Sequence, residues 1–138
     1  MNWTLEVVVV PVSDIDRAKT FYADRLGFTV DHDVRIGEGR RIVQLTPPGS
    51  GCSIVIGEGV VPDMPAGVLR GLQLVVADVV AAHEELVGRG VAVSDVTAID
   101  GDVAKVTRGG AALDNVGFVF FADPDGNGWA VQQISARR

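Results

Sequence analysis

Three glutamines stand in stretches that are otherwise rich in apolar residues: Gln44, Gln73 and Gln132. A buried amide must find hydrogen-bond partners, so each either orients a ligand or bonds another amide, water or neighbouring backbone. Phe118 and Phe120 lie two residues apart, a spacing that puts both rings on one side of a strand. There they either receive a planar or apolar molecule or pack in the core. The two histidines offer less. His32 is flanked by Asp31 and Asp33, a run that suits either a catalytic site or a solvated strand end. His83 stands beside Glu84 and Glu85 and reads as solvated. Asp123 and Asp125, within Asp-Pro-Asp-Gly, pair two carboxylates but have turn-forming chemistry. No glycine-rich phosphate cradle and no Gly-x-Ser-x-Gly elbow occurs.

The elements that must position these residues come in two copies. At an offset of 64, Val12-Ser13-Asp14-Ile15 falls on Val76-Ala77-Asp78-Val79, each closing a β-rich run and opening a helical one. The same offset superimposes Ile15, Ala18 and Tyr22 on Val79, Ala82 and Leu86, one stripe of a helix in each copy. Gly27 and Gly90 stand where those helices should stop. Turn-rich 47–51 and 123–128 coincide at an offset of 76, so about a dozen extra residues enter the second copy, within the loop 94–115. The pattern predicts strand 5–10, helix 14–26, and strands 28–33, 40–46 and 52–57. After a link, it predicts strand 70–76, helix 78–89, strand 91–97, the long loop, and strands 116–121 and 128–134. Ser13 with Asp16 forms a weakened capping box for the first helix, and Asp78 caps the second.

The bulk numbers narrow the functional classes. With 138 residues, 47% of them hydrophobic, the chain can bury the core of one domain. A net charge of −6 leaves no basic surface for nucleic acid or an anionic membrane. The single Cys52 excludes an internal disulfide, and with no recognisable leader and no membrane-spanning run, a cytoplasmic protein is expected.

Pro11 to Ala18, followed by Phe21-Tyr22 and Leu26-Gly27-Phe28, resembles the opening of the glyoxalase/bleomycin-resistance/dioxygenase superfamily, the vicinal oxygen chelate proteins. Phe120 to Trp129 resembles the close of that family's second module. The resemblance implies an α+β chain of two tandem βαβββ modules, forming a curled mixed sheet around a cleft, and a homodimer. It divides this chain into module one (1–58), a linker (59–68) and module two (69–138). In metal-dependent relatives the cleft holds a divalent ion on side chains from the first and last strand of each module. Carried over, those positions are Val7, Ile54, Gly71 and Ala130, with Ile54 uncertain by one residue. None has a nitrogen, oxygen or sulfur donor on its side chain, whereas a divalent ion needs roughly four or more.

No metal and no other cofactor is therefore expected. Alternation puts Val9, Ile56, Gln73 and Gln132 on the same side as those positions. The expected ligand-binding residues are Gln44, Gln73, Phe118, Phe120 and Gln132, with no catalytic residue assigned. The leading expectation is binding or sequestration of a small, partly apolar or aromatic molecule, as in the family's antibiotic-sequestering members. A metal-dependent glyoxalase-like lyase, isomerase or dioxygenase with other ligands is the alternative, so enzymatic activity stays open. A third reading makes the loop 94–115 a lid carrying acid/base groups among Asp95, Asp100, Asp102, Lys105, Arg108 and Asp114.

Overall fold

The computed structural model describes residues 1–136, so the last two residues of module two lie outside the description. The chain forms two compact units: residues 1–69 together with 123–127, and residues 70–122 together with 128 onward. The turn of the last hairpin thus groups with the first unit, a division that no cut at a single linker would make.

In the first unit β1 (Val7–Val9) is followed by α1 (Ile15–Thr20), which runs on into a wider turn over Phe21–Arg25. Then come β2 (Thr29–Gly37), β3 (Arg40–Thr46) and β4 (Ser53–Glu58). The sheet order is β1-β4-β3-β2, with β1 parallel to β4 and the remaining pairs antiparallel. Helix α1 buries Ala18, and Tyr22 in the following turn is buried too, so the expected stripe meets Val43, Leu45, Ile54 and Ile56 in the core. The cap is Asp14, whose carboxylate accepts from Arg17 N at 3.0 Å, and not the Ser13–Asp16 box. Ser13 and Asp16 are drawn into other contacts. Ser13 donates its hydroxyl to Asp125 at 2.5 Å, and Asp16 takes Arg41 Nη1 at 2.8 Å.

The turn 123–127 is held by a buried polar hub. Asp123 Oδ2 accepts from Tyr22 Oη at 2.7 Å and Asn127 Nδ2 at 2.8 Å, while Oδ1 accepts the backbone N–H groups of Asp125 and Asn127. Fully buried Asn127 also donates to Pro11 O and accepts from Leu69 N. Each polar atom forced out of water thereby regains a partner. Nearby on the helix side of the sheet, buried Arg41 forks onto Asp33 at 2.9 Å through both Nε and Nη2, and Lys19 reaches the same carboxylate at 2.7 Å. These cations hold the Asp33 carboxyl well below the usual carboxylate range.

The second unit repeats the plan with β5 (Leu72–Val76), α2 (Val79–Gly88), β6 (Thr97–Ala98), β7 (Gly117–Ala122) and β8 (Gly128–Gln133), in sheet order β5-β8-β7-β6. Asp78 caps α2 by accepting from Ala81 N at 3.0 Å, with a backbone conformation nearly that of Asp14. Gly27 and Gly90 both adopt positive φ at the helix ends, as their spacing implied. The two sheets with tandem βαβββ order make this the expected α+β class.

The expected strand 91–97 is largely absent: only Thr97–Ala98 pair regularly, with one isolated bridge between Val93 and Phe121. Ser94 explains the break, because its hydroxyl accepts from Phe120 N at 2.8 Å and so takes a donor that a ladder carbonyl would hold. The long loop is not structureless either. It contains α3 (Val103–Arg108), capped by Asp102, and a single 3₁₀ turn over Gly110–Leu113.

Candidate functional site

Each sheet has one face under its helix and one open face. In the second sheet Val119, Phe121, Trp129 and Val131 are buried, and Phe121 stacks on Trp129 at 6.0 Å. Alternation turns their neighbours to the other side. Phe118 pairs with Gln132, and Phe120 and Gln73 both pair with Ala130, so these five residues share the open face. The rings of Phe118 and Phe120 lie 5.8 Å apart and only 7° from parallel. Phe118 is buried beneath, whereas Phe120 keeps 43% of its surface exposed.

The amides on this face form a chain. Gln73 Nε2 donates to Gln132 Oε1 at 2.6 Å, and Gln132 Nε2 donates to Asn115 O at 2.8 Å. Asn115 is held at φ 69°, a conformation asparagine tolerates better than most residues, while its N–H donates to Gln133 O at 2.8 Å. The two glutamines therefore satisfy one another, the structural alternative open at the sequence level, while remaining at least partly accessible. Sequence reasoning missed Asn115. An asparagine closing a glycine-containing loop was its only signal. The arrangement has an aromatic ledge beside a fixed row of amides, chemistry suited to stacking and hydrogen bonding.

On the first sheet, Val7 pairs with Ser53 and Val9 with Val55, and Gln44 faces both Val55 and His32 across its neighbouring strands. These residues form that sheet's open face, so Gln44 belongs to a different unit from Gln73, Phe118, Phe120 and Gln132. Ile54 and Ile56 do not belong to the open face. They pair with Leu45 and Val43 and are buried in the helix-side core. The register corrects the inferred position by one residue. At the 64-residue offset Val9 corresponds to Gln73, and their partners Val55 and Ala130 therefore correspond. Valine replaces isoleucine, and the position still carries only hydrocarbon.

The charged loop is occupied with its own structure. Lys105 pairs with Asp100 at 2.5 Å, Asp102 caps α3, and Asp114 accepts from Ser135 Oγ at 2.6 Å and Gln133 Nε2 at 3.1 Å. Those donors hold the Asp114 carboxyl below its ordinary range. Asp114 lines a cavity of about 270 Å³ with Asp78, Gln133 and Ser135, where Gln133 Oε1 also accepts from Val79 N at the start of α2. Its polar groups serve helix capping and loop anchoring. Cys52 is a half-buried free thiol, and His32 is exposed.

A family model described as the Glyoxalase/Bleomycin resistance protein/Dioxygenase superfamily matches residues 4–131. This chain belongs to that superfamily. Among solved structures, it is similar to TnmS3, an antibiotic binding protein from Streptomyces sp. CB03234, at 34% identity over 97% of this chain and 98% of that one, with a TM-score of 0.74. A glyoxalase/bleomycin resistance protein from the same organism is also 34% identical, over 94% and 100% of the two chains, with a TM-score of 0.70. A superfamily member from Sphaerobacter thermophilus DSM 20745, 24% identical over 96% and 98%, shares the fold with a TM-score of 0.73. No curated protein matches.

Glyoxalase-superfamily membership raises the question of a divalent ion. Val7 and Val55 in the first unit, and Gly71 and Ala130 in the second, supply no side-chain donor. Among the described residues no group of three or more His, Cys, Asp or Glu side chains could hold a metal. At those inferred positions the residues present do not fit the ion. Also among the described residues, no helix is long and apolar enough to cross a membrane.

Proposed function

We propose that this superfamily member binds and sequesters a small, planar, partly apolar molecule of the antibiotic class without a metal ion. The observation that carries the reading is the open face of the second sheet, where Phe118 and Phe120 stack beside the Gln73–Gln132 pair. A flat ligand laid on Phe120 would gain apolar contact, and its polar edge would meet amides whose orientation the Asn115 carbonyl already limits. Sequestration requires affinity alone, so hydrocarbon at the inferred metal positions is no handicap. The likeness to TnmS3 supports the ligand class. The protein acts in the cytoplasm, consistent with its free thiol.

Titration calorimetry of the purified protein against a panel of planar aromatic antibiotics, beside elemental analysis, tests the proposal. Saturable binding by metal-free protein is expected. Stoichiometric nickel, zinc, iron or manganese required for binding, or turnover of a hemithioacetal or catechol, would favour the metal-dependent alternative instead.

A further inference from the structure

The open face of the first sheet holds polar groups that the aromatic ledge does not involve. Pairing of β2 with β3 slips between Val30 and His32, which leaves Asp31 as the extra residue of a bulge. Val30 pairs with Leu45 on the helix side and His32 with Gln44 on the open side, so Asp31 can turn either way. Its carboxylate accepts from Thr46 Oγ1. Thr46 is two residues from Gln44 and shares its side of the strand, so Asp31 and His32, though consecutive, serve one face.

The direction of the hydrogen bonds follows from what each group can give. An ionised carboxylate only accepts, so Thr46 spends its one hydroxyl proton on Asp31. The 2.5 Å contact between Thr46 Oγ1 and Ser53 Oγ must then take its proton from Ser53. The chain runs from Ser53 through Thr46 and ends on a carboxylate whose other oxygen, among the described residues, meets no donor and no cation. Asp33, turned to the helix side, differs in holding both Arg41 and Lys19.

The face also deepens from β2 to β4. Asp31 and His32 are exposed, Gln44 and Thr46 half-buried, and Ser53 and Val55 buried. Beside the polar row the floor is hydrocarbon, from Val9 and its partner Val55. We infer that this face is a second binding site, taking an ammonium group borne on a small aliphatic body. The ammonium brings only donors to a row that ends in a free acceptor, and its body covers Val9 and Val55, about 7 Å or one two-residue step away. A bare inorganic cation would gain nothing from that hydrocarbon. An exposed ion pair is weak by itself, so affinity needs both parts together. The net charge of −6 favours the approach of a cation. The site lies on the other unit from Phe118 and Phe120, and the inference does not rest on the planar ligand proposed above.

NMR titration of the isotope-labelled full chain with hexylammonium, hexanol and hexanoate, which share one body and differ in head group, tests it. Hexylammonium should saturate in the low millimolar range and move the backbone amides of Asp31, His32, Thr46 and Ser53. Hexanol should bind about 5-fold more weakly, and hexanoate more weakly still. Asp31→Asn keeps an acceptor for Thr46 but loses the charge, so it should bind hexylammonium about 5-fold less tightly and hexanol as before. Glu38→Gln removes an equal charge from the exposed turn between β2 and β3 and should bind as wild type. No saturable shift, shifts confined to other residues, hexanol binding as tightly as hexylammonium, or Asp31→Asn matching wild type would overturn the inference. An equal loss in Glu38→Gln would overturn it too, by reducing the effect to net charge.

Discussion

The two sheets follow one plan and differ most on opposite faces. On the helix side of the first, a buried arginine forks onto an aspartate, and a buried hub of Asp123 and Asn127 ties the far turn to Pro11, Tyr22 and Leu69. The corresponding side of the second sheet is sealed by stacked Phe121 and Trp129, with Gln133 capping α2. Outward, the order reverses: the first open face is mostly aliphatic with Gln44 and His32, while the second has the aromatic ledge and the amide chain. After duplication, then, the polar groups that hold the first unit together face inward, and the groups suited to a planar ligand concentrate on the second unit's outward face. Stability and recognition should consequently respond to different substitutions.

The largest effect is expected at the hub. Asp123→Ala strands the Tyr22 hydroxyl, the Asn127 amide and two backbone donors, and should cost about 3–5 kcal/mol in denaturant unfolding. A loss under about 1 kcal/mol would show the hub to be dispensable. The counterpart in the second unit is Gln133→Ala, which removes the acceptor for Val79 N and the donor to Gly110 O. It should cost about 1–3 kcal/mol by the same measurement. If Gln133→Ala proved costlier than Asp123→Ala, the contrast between the units would be reversed.

Recognition is sharpened by Phe120→Ala. Because this ring is partly exposed, unfolding should hardly change, while calorimetry with an aromatic ligand should show a loss of about 1–2 kcal/mol of affinity. Loss of stability without loss of affinity would return Phe120 to the core.

The smallest effect concerns acid. The pKa of Asp33 is depressed in the folded state by Arg41 and Lys19, so its contribution to stability is present above the unfolded carboxylate value, about 4. It is lost as pH falls from there through the folded value. The stability difference between wild type and Asp33→Asn should therefore shrink on acidification below about pH 4. A difference that grew there would contradict the ion-pair account.

Much of this was legible in the chain because it is written in local periodicity. Asp14 and Asp78 cap helices at the 64-residue offset, and of the stripe that offset foretold Ala18, Tyr22, Val79 and Leu86 are buried, while Ile15 and Ala82 are half-buried. Trp129 lies in the core, on the face opposite Ala130, as strand alternation dictates. What failed depended on partners distant in sequence. Ile54 was one residue out because strand register is set by pairing with β1 and β3, not by the turn that precedes it. Ser13 surrendered its cap to Asp14 because Asp125, 112 residues away, claims its hydroxyl. The strand at 91–97 dissolved because Ser94 prefers a side-chain bond to Phe120 N.

Sequence by itself determined the duplication, the class of the elements outside 91–115, the superfamily and the absence of donors at the inferred metal positions, since all of these follow from residue type and spacing along the chain. Tertiary structure alone decided that a turn from the second module closes the first unit, that Gln73 and Gln132 bond one another, and that Ser53, Thr46 and Asp31 join in one chain. Those outcomes depend on which groups meet across long stretches of chain, where the need to satisfy buried polar atoms selects among pairings that local pattern leaves equal.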